Sequence, residues 1–521
     1  MARTMVGYRP AMSKLWTRLA SAPALVVVAA STAIPLLAIS VQHIASADIF
    51  AVWRRPGVTD ALFFSLWQGM LSTVLTLAFG LFPTWVLARY RFAGRSILVA
   101  LVTVPFVLPT IAVGAAFLAV LPTSLHRTTW AILLAHIFFN ISVVVRTVGP
   151  LWRSVDQGLI ESAQTLGASP AQVYRHLILP IARPAIISAG SLIFVMCFTS
   201  YGIIRILGGP GLATLDIEIY RRAVQLGDIS GATVLGITQT LCIACAFAWW
   251  SRSQGAQFSK IGDRNSARAL NRSSRIIVFL TATAFTAPLG ALISSSLHTR
   301  DSWSLTGWKV LFGLQDIRGL DIDLPSSLAT SLVYALAATA IAVPVGMAAT
   351  AFARRHWIHT AVVLPLSTSP VVLGLAILIT YDRAPFDFRS SRLLIPLVHA
   401  AIALPFVMRA TIAIGNVIPP DLRHAAETLG AGPWRRWLNI DLPLLRPALA
   451  TGVAFSLAMS LGEFGATSFL TRRNSSTLPI SIANLFSRAG DIPRSTGMAA
   501  ATLLIFITGL LVVSVDRRSY S

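Results

Sequence analysis

Glu463 is the residue of this chain best suited to do chemistry, because it lies about halfway along an apolar run, 450–470, that is long enough to cross a membrane. An ionised carboxylate at such a depth costs several kcal/mol unless it faces partners, water or a cation. Phe464 beside it offers an aromatic face, and carboxylate and ring together suit a cation on its way through. The competing reading is that Glu463 bonds neighbouring backbone or a helix end, and both readings stand on sequence alone. Other reactive types are scattered. His43, His126, His136 and His399 show no nucleophile–base spacing and no HExxH zinc signature. Cys242 and Cys245 form a C-x-x-C, but no second pair or histidine lies nearby in sequence, so packing rather than metal binding is expected. Cys197 also falls in an apolar run, so no disulfide framework is implied. Covalent chemistry is not expected, and a membrane enzyme is the weakest reading.

Such residues need helices in a bilayer to position them. Of 521 residues, 55% are hydrophobic and only 12% charged, a balance outside that of soluble globular domains. Apolar runs of about 18–28 residues, enough for a hydrocarbon core of about 30 Å, predict an all-α integral membrane protein. About twelve transmembrane helices are expected, near 22–45, 60–88, 97–121, 129–148, 185–207, 229–250, 275–297, 326–351, 358–380, 393–415, 450–470 and 495–515. A basic leader (Arg3, Arg9, Lys14, Arg18) and Ala45-Ser46-Ala47 imitate a secretory signal and its cleavage site, but length and orientation predict a retained signal-anchor. The net charge of +22 follows topology. With the N-terminus inside, most Lys and Arg fall in segments that become cytoplasmic, as the positive-inside rule requires. Both termini are then cytoplasmic in a multi-pass protein of the cell membrane, in contact with the lipid bilayer. No soluble face interleaves bases with aromatics, so no nucleic-acid partner is expected.

The chain is also a duplication. ESAQTLGASPAQVYRHLILP, from Glu161 to Pro180, returns as HAAETLGAGPWRRWLNIDLP, from His424 to Pro443. The same spacing pairs Gly167 with Gly430, Arg183-Pro184 with Arg446-Pro447, Arg146 with Arg409 and His136 with His399. VPFVLPTIAVG from Val104 and LPLSTSPVVLG from Leu364 match at a slightly shorter spacing. Two tandem six-helix halves are expected, 1–250 with a polar loop at 158–180 and 276–521 with one at 421–443, joined by a Ser/Arg/Asn-rich cytoplasmic linker, 251–275. An even number of spans per half makes this a parallel repeat about the membrane normal.

Each polar loop reads as an elbow of two short helices. In the first, a helix runs from Gly158 to Leu166 and stops at Gly167, which tolerates left-handed backbone. Ser169, Pro170 and Gln172 then form an N-cap, a first helical position and a capping box, and Pro180 is expected to end that helix before the next span. The second copy keeps Gly430, Gly432, Pro433 and Pro443. An acid is expected near each positive helix end, Glu161 at N3 and Asp421 at the N-cap. One such elbow alone could be a solvated connector; two, with their cap and stop signals intact, make a docking shape.

These stretches resemble the EAA loops of permease subunits of ABC importers, whose pattern is Glu-Ala-Ala, three residues, Gly, nine residues, then Ile-x-Leu-Pro. The first copy supplies Glu161, Ala163, Gly167 and Leu177-Ile178-Leu179-Pro180, the second Ala425, Ala426, Gly430 and Ile440-Asp441-Leu442-Pro443. His424 departs from the usual Glu. The resemblance implies that each loop inserts a coupling helix into one of two cytoplasmic ATPase subunits. No Walker A sequence occurs in this chain, so ATP belongs to those partners and this chain carries no cofactor.

CFTSYGIIRILGGPGLATLDIEIYRRA, from Cys197, and SLGEFGATSFLTRRNSSTLPISIANLFSRAG, from Ser460, resemble fused two-domain permeases for thiamine, with ferric iron permeases as close relatives. Thiamine carries a quaternary thiazolium, so the resemblance implies a translocation path past Glu463 and Phe464 and their first-half equivalents, Ser200 and Tyr201. It also implies an extracytoplasmic binding protein, for which Asp216 and Glu218 (with Arg221 and Arg222) in one outer loop and Arg472 and Arg473 in its counterpart are the candidate contacts. Solvated charge is the alternative for these. The rival from another class is an ion-gradient-driven secondary transporter, which also uses repeated six-span halves but gives the paired elbows no task.

Overall fold

The computed structural model describes residues 23–44, 48–253, 270–299, 302–317, 321–351, 364–382, 388, 391–415, 419–472 and 475–519. The basic leader, the Ala45-Ser46-Ala47 site, most of the linker and Arg473 lie outside the described residues. The first half contains α1 (Pro23–His43), α2 (Val58–Arg89), α3 (Arg95–Val107), α4 (Thr110–Val120), α5 (Thr129–Ser154), α6 (Ala171–Phe198) and α7 (Ile229–Ser253). The second contains α8 (Arg272–Ser296), α9 (Leu324–Ala351), α10 (Pro370–Thr380), α11 (Leu394–Gly415), α12 (Trp434–Gly462) and α13 (Asp491–Ser519). Among the described residues ten helices are long and apolar enough to cross a membrane, or eleven with α3 and α4 counted as one span. The all-α membrane architecture is as expected.

Several expected spans are not continuous helices. The span at 97–121 breaks between α3 and α4 with a bend of 116°, where Leu108 and Pro109 take extended backbone and Pro109 has no N–H for a helical bond. In the second half α10 starts at Pro370 after a turn at Leu364–Ser367, and residues 358–363 of that expected span lie outside the described residues. The spans expected at 185–207 and 450–470 also break. α6 ends at Phe198 and a separate short helix covers Gly202–Leu207; α12 ends at Gly462 before a short helix at Thr467–Leu470.

Each half is built on three long packed helices, α2, α5 and α6 in the first and α9, α11 and α12 in the second. Lipid is as apolar as leucine, so close packing rather than water exclusion holds such helices together. Gly346 of α9 illustrates the fit, since a Cβ there would come 2.7 Å from the Val407 side chain of α11. Buried hydroxyls tie the short outer helices down in the same way in both halves. Leu215 N–H donates to Ser65 Oγ at 2.8 Å, and its equivalent Leu478 N–H to Ser331 Oγ at 2.7 Å. The first helix of each half crosses to the other: α1 packs on α10 and places Ala24 and Val28 against Leu404 and Met408, and α8 packs on α4. This exchange holds the halves around one centre.

Candidate functional site

The first elbow begins with a helix at Gln157–Thr165, capped by Asp156, whose side chain accepts from Gly158 N–H at 2.9 Å. Asp156, not Glu161, is therefore the acid at the positive end; Glu161 lies a turn further in and is exposed. Gly167 has φ +85°, with Gly167 N–H bonded to Gln164 O and Ala168 N–H to Ala163 O, each at 3.0 Å. That is a Schellman stop. Ser169 and Gln172 then exchange bonds, Ser169 N–H to Gln172 Oε1 at 2.8 Å and Gln172 N–H to Ser169 Oγ at 3.3 Å, which is the expected capping box. The second elbow repeats the stop. Its helix is Pro420–Thr428 with Asp421 in the first turn rather than at the N-cap, Gly430 has φ +78°, and Ala431 N–H reaches Ala426 O at 2.9 Å.

The two prolines do not end their helices. Pro180 and Pro443 sit inside α6 and α12, each just after one wide π-type turn, Tyr174–Ile178 and Trp437–Asp441. The extra residue in such a turn relieves the clash and lost bond that proline otherwise causes. Each elbow is thus continuous with a membrane helix, which makes it a lever. Sequence reasoning missed what the elbow tips present. Leu166 is 89% and Leu429 87% exposed, a large apolar side chain at each turn, and the shared Thr-Leu-Gly of the two copies was the signal. His424 is exposed, with Nδ1 3.7 Å from Glu427 Oε2. Ala163 and Ala426 are half-buried and Ala425 is exposed.

Between the halves lies a cavity of about 210 Å³, lined by α4–α6 from one side and α10–α12 from the other. Tyr201 and Phe464, equivalent residues of the two halves, stack face to face with ring centroids 5.0 Å apart and planes 19° apart. Tyr220 and Phe469 extend this aromatic cluster. Glu463 lines the cavity but its carboxylate is occupied. It accepts from Ala466 N–H at 2.8 Å and Thr467 N–H at 2.9 Å, and from the Thr467 hydroxyl. His399 Nε2 lies 3.4 Å from it and 2.8 Å from Thr467 Oγ1, and His399 Nδ1 is 2.7 Å from Ser460 Oγ. Glu463 therefore caps the helix Thr467–Leu470, the helix-end reading of its sequence position. Ser200, in the equivalent place, is buried in the same cavity wall. Among the described residues no cluster of His, Cys, Asp or Glu is set to hold a metal ion.

The outer-loop acids are not surface groups. Asp216 is fully buried and accepts from Ser369 Oγ of the other half at 2.6 Å. Burial pushes its carboxyl up to about 6. Glu218, also buried, receives Arg221 at 2.8 Å and has Arg222 Nε at 2.8 Å. Arg222 continues to Asp228 at 2.9 Å, and Arg55 pairs with the same carboxylate. Burial raises Asp228, but Arg55, Gly231 N–H and Arg222 together hold it below the usual carboxylate range. This network staples three loops and removes Asp216 and Glu218 from the surface on which a soluble protein would dock. Arg472 is exposed. A groove of about 720 Å³ elsewhere is lined by His126, Arg127, Arg205, Arg488, Asp491 and Arg494, with Arg127 in left-handed backbone at φ 56°. Its arginines come from distant parts of both halves, so no local sequence pattern announces it.

Residues 77–252 and again 338–518 match the family model described as binding-protein-dependent transport system inner membrane component. The thiamine transport system permease protein ThiP of Haemophilus influenzae is 26% identical over 512 residues, covering 90% of this chain and 91% of that protein. ThiP of Brucella abortus is 26% identical over 496 residues (88% and 87% covered), and ThiP of Escherichia coli 23% over 506 (90% and 91%). Matched once in each half and over most of its length, the chain belongs to the family of binding-protein-dependent transport system inner membrane components.

Proposed function

We propose that this chain is the fused permease of an ATP-driven importer that moves thiamine or its phosphates into the cytoplasm. The observation that carries the coupling mechanism is the pair of elbows. Each presents an exposed leucine on a capped turn and runs without a break into a helix, α6 or α12, that ends beside the Tyr201–Phe464 stack. Two equivalent exposed leucines on two equivalent capped turns suit docking to two cytoplasmic ATPase subunits. Closure of those subunits would swing both levers and part the stacked rings, opening the route between the halves by alternating access. Hydrolysis of ATP belongs to the partners. The elbow side and both termini are then cytoplasmic, in the cell membrane.

Thiamine is favoured by the names of the relatives, which align along nearly the whole chain, and by the aromatic stack beside Glu463, whose faces suit a thiazolium cation. On the opposite side, Arg472 and the arginine groove form the surface proposed for the binding protein. An ion-driven transporter would leave the elbow leucines uncovered in water. The test is uptake of labelled thiamine and of ferric iron in cells lacking this chain, with and without its re-expression and with ATP depleted at constant membrane potential. Thiamine uptake that returns with the chain and stops without ATP is the expected result. Return of iron uptake alone would overturn the substrate, and uptake that survives ATP loss would overturn the importer.

A further inference from the structure

The halves diverge most around two equivalent buried histidines. His399 has both ring nitrogens engaged, by Ser460, Thr467 and the Glu463 carboxylate. In the first half these three partners are replaced by Cys197, Ile204 and Ser200. His136 keeps one bond, Nδ1 to Ser72 Oγ at 3.0 Å, and its Nε2 has no partner. Ser200 Oγ and Asn140 Oδ1 also have none, although Asn140 Nδ2 donates to His136 O at 3.0 Å. All three side chains are more than nine-tenths buried, and all three residues line the central cavity.

Buried polar atoms are rarely left without partners, and each such case calls for an occupant. Apolar walls with a few convergent polar groups are the signature of a ligand pocket. The cavity of about 210 Å³ is below the range of about 300–1,000 Å³ that encloses a whole drug-sized ligand, so it admits one ring of a larger molecule.

We propose that His136, Asn140 and Ser200 form a substrate subsite in the first half, which takes a flat heteroaromatic ring bearing an adjacent hydrogen-bond donor and acceptor. Asn140 Oδ1 accepts from the donor, a neutral His136 Nε2 and the Ser200 hydroxyl serve as donor or acceptor, and Tyr201 and Phe464 provide the aromatic wall. The 4-aminopyrimidine of thiamine has this chemistry. The subsite rests on the importer reading for its role and on the thiamine reading only for the name of the ring.

The test uses the complex in membranes. A Ser200→Cys variant is treated with a small methanethiosulfonate reagent, with the parent chain, which carries Cys197, Cys242 and Cys245, as blank. With 4-amino-5-hydroxymethyl-2-methylpyrimidine at about ten times its dissociation constant, the reaction at the introduced thiol is expected to slow about tenfold, and with the same concentration of the analogue lacking the amino group, weaker by roughly one net hydrogen bond or about tenfold, only about twofold. No protection, or equal protection by both, means a water-filled void and overturns the subsite. In the uptake assay, Ser200→Glu supplies His136 with the carboxylate of the other half and fills the cavity. It is expected to raise the KM for thiamine about tenfold or more; an unchanged KM overturns the subsite as well. If the parent complex imports no thiamine, the thiamine reading falls, and the protection experiment still decides the subsite by itself.

Discussion

The elbows and the membrane centre have diverged to different degrees. Around Gly167 and Gly430 the same backbone bonds recur residue for residue, down to the wide turn ahead of each proline. Around His136 and His399 the bonds differ: one histidine is saturated by a capped helix end, and the other, in the cavity wall, keeps a bond to Ser72 and has Nε2 without a partner. On the proposed reading, a pair of equivalent partners would constrain both elbows alike, whereas a small asymmetric substrate on the axis would need two unlike walls. The contrast supports the proposal that symmetry in this chain serves coupling and asymmetry serves recognition.

The largest effect that would break this comparison lies at the elbows. Leu166→Asp or Leu429→Asp alone is expected to weaken retention of the ATPase subunits about 30-fold, the worth of a strong interface anchor, and the double variant to abolish uptake. Co-purification measures the first and labelled-substrate uptake the second; a large effect from one leucine only would show that the elbows are not equivalent. Next comes the saturated node. Glu463→Gln keeps at most one of the two backbone N–H bonds and is expected to destabilise the purified protein by about 1–3 kcal/mol, visible as a lower melting temperature. Ser200→Ala at the equivalent site removes a group that has no partner and is expected to leave melting unchanged. The reverse order would contradict the assignment of structure to one half and recognition to the other.

A smaller effect is expected from pH at the bond that joins the halves. Burial raises the Asp216 carboxyl to about 6 from its ordinary value of 3.8, so between those values the folded state holds more protons than the unfolded one. Stability from this group is then fully present below about pH 4 and is lost as pH rises through 6. Asp216→Asn keeps an acceptor for Ser369 without the charge and is expected to remove that decline, raising melting at about pH 7.5 but not at about pH 4. A variant as pH-sensitive as the parent would place the titration elsewhere. Smallest is the outer groove, where Arg205→Glu with Arg494→Glu is expected to weaken binding-protein affinity about tenfold and to flatten its salt dependence, as loss of exposed steering charge does. Unchanged affinity would move the docking surface away from the groove.

What was legible in the sequence was local. Gly167, Ser169, Pro170 and Gln172 act on their immediate neighbours, so their spacing foretells the elbow, and the recurrence at Gly430 foretells the duplication. Pro180 and Pro443 read as stops because the wide turn that accommodates each depends on the helix continuing beyond it. The break after Gly462 is hidden in an apolar run that reads as one span. Asp216 looks like an exposed loop acid because Ser369, the partner that explains its burial, lies in the other half. The arginine groove is invisible for the same reason, since its members meet only after the halves interlock, whereas His136 and Asn140 on α5 and Ser200 just after α6 meet when two helices of the first half pack.

Whether the elbows drive the centre is reported directly by the Tyr201–Phe464 contact. In the assembled complex, a chain carrying Tyr201→Cys and Phe464→Cys is expected to cross-link under oxidation without nucleotide and to lose the cross-link when ATP is bound but not hydrolysed. With Leu166→Asp and Leu429→Asp added, the cross-link is expected to persist with ATP. A cross-link equally efficient with and without ATP when the elbows are intact would contradict the account.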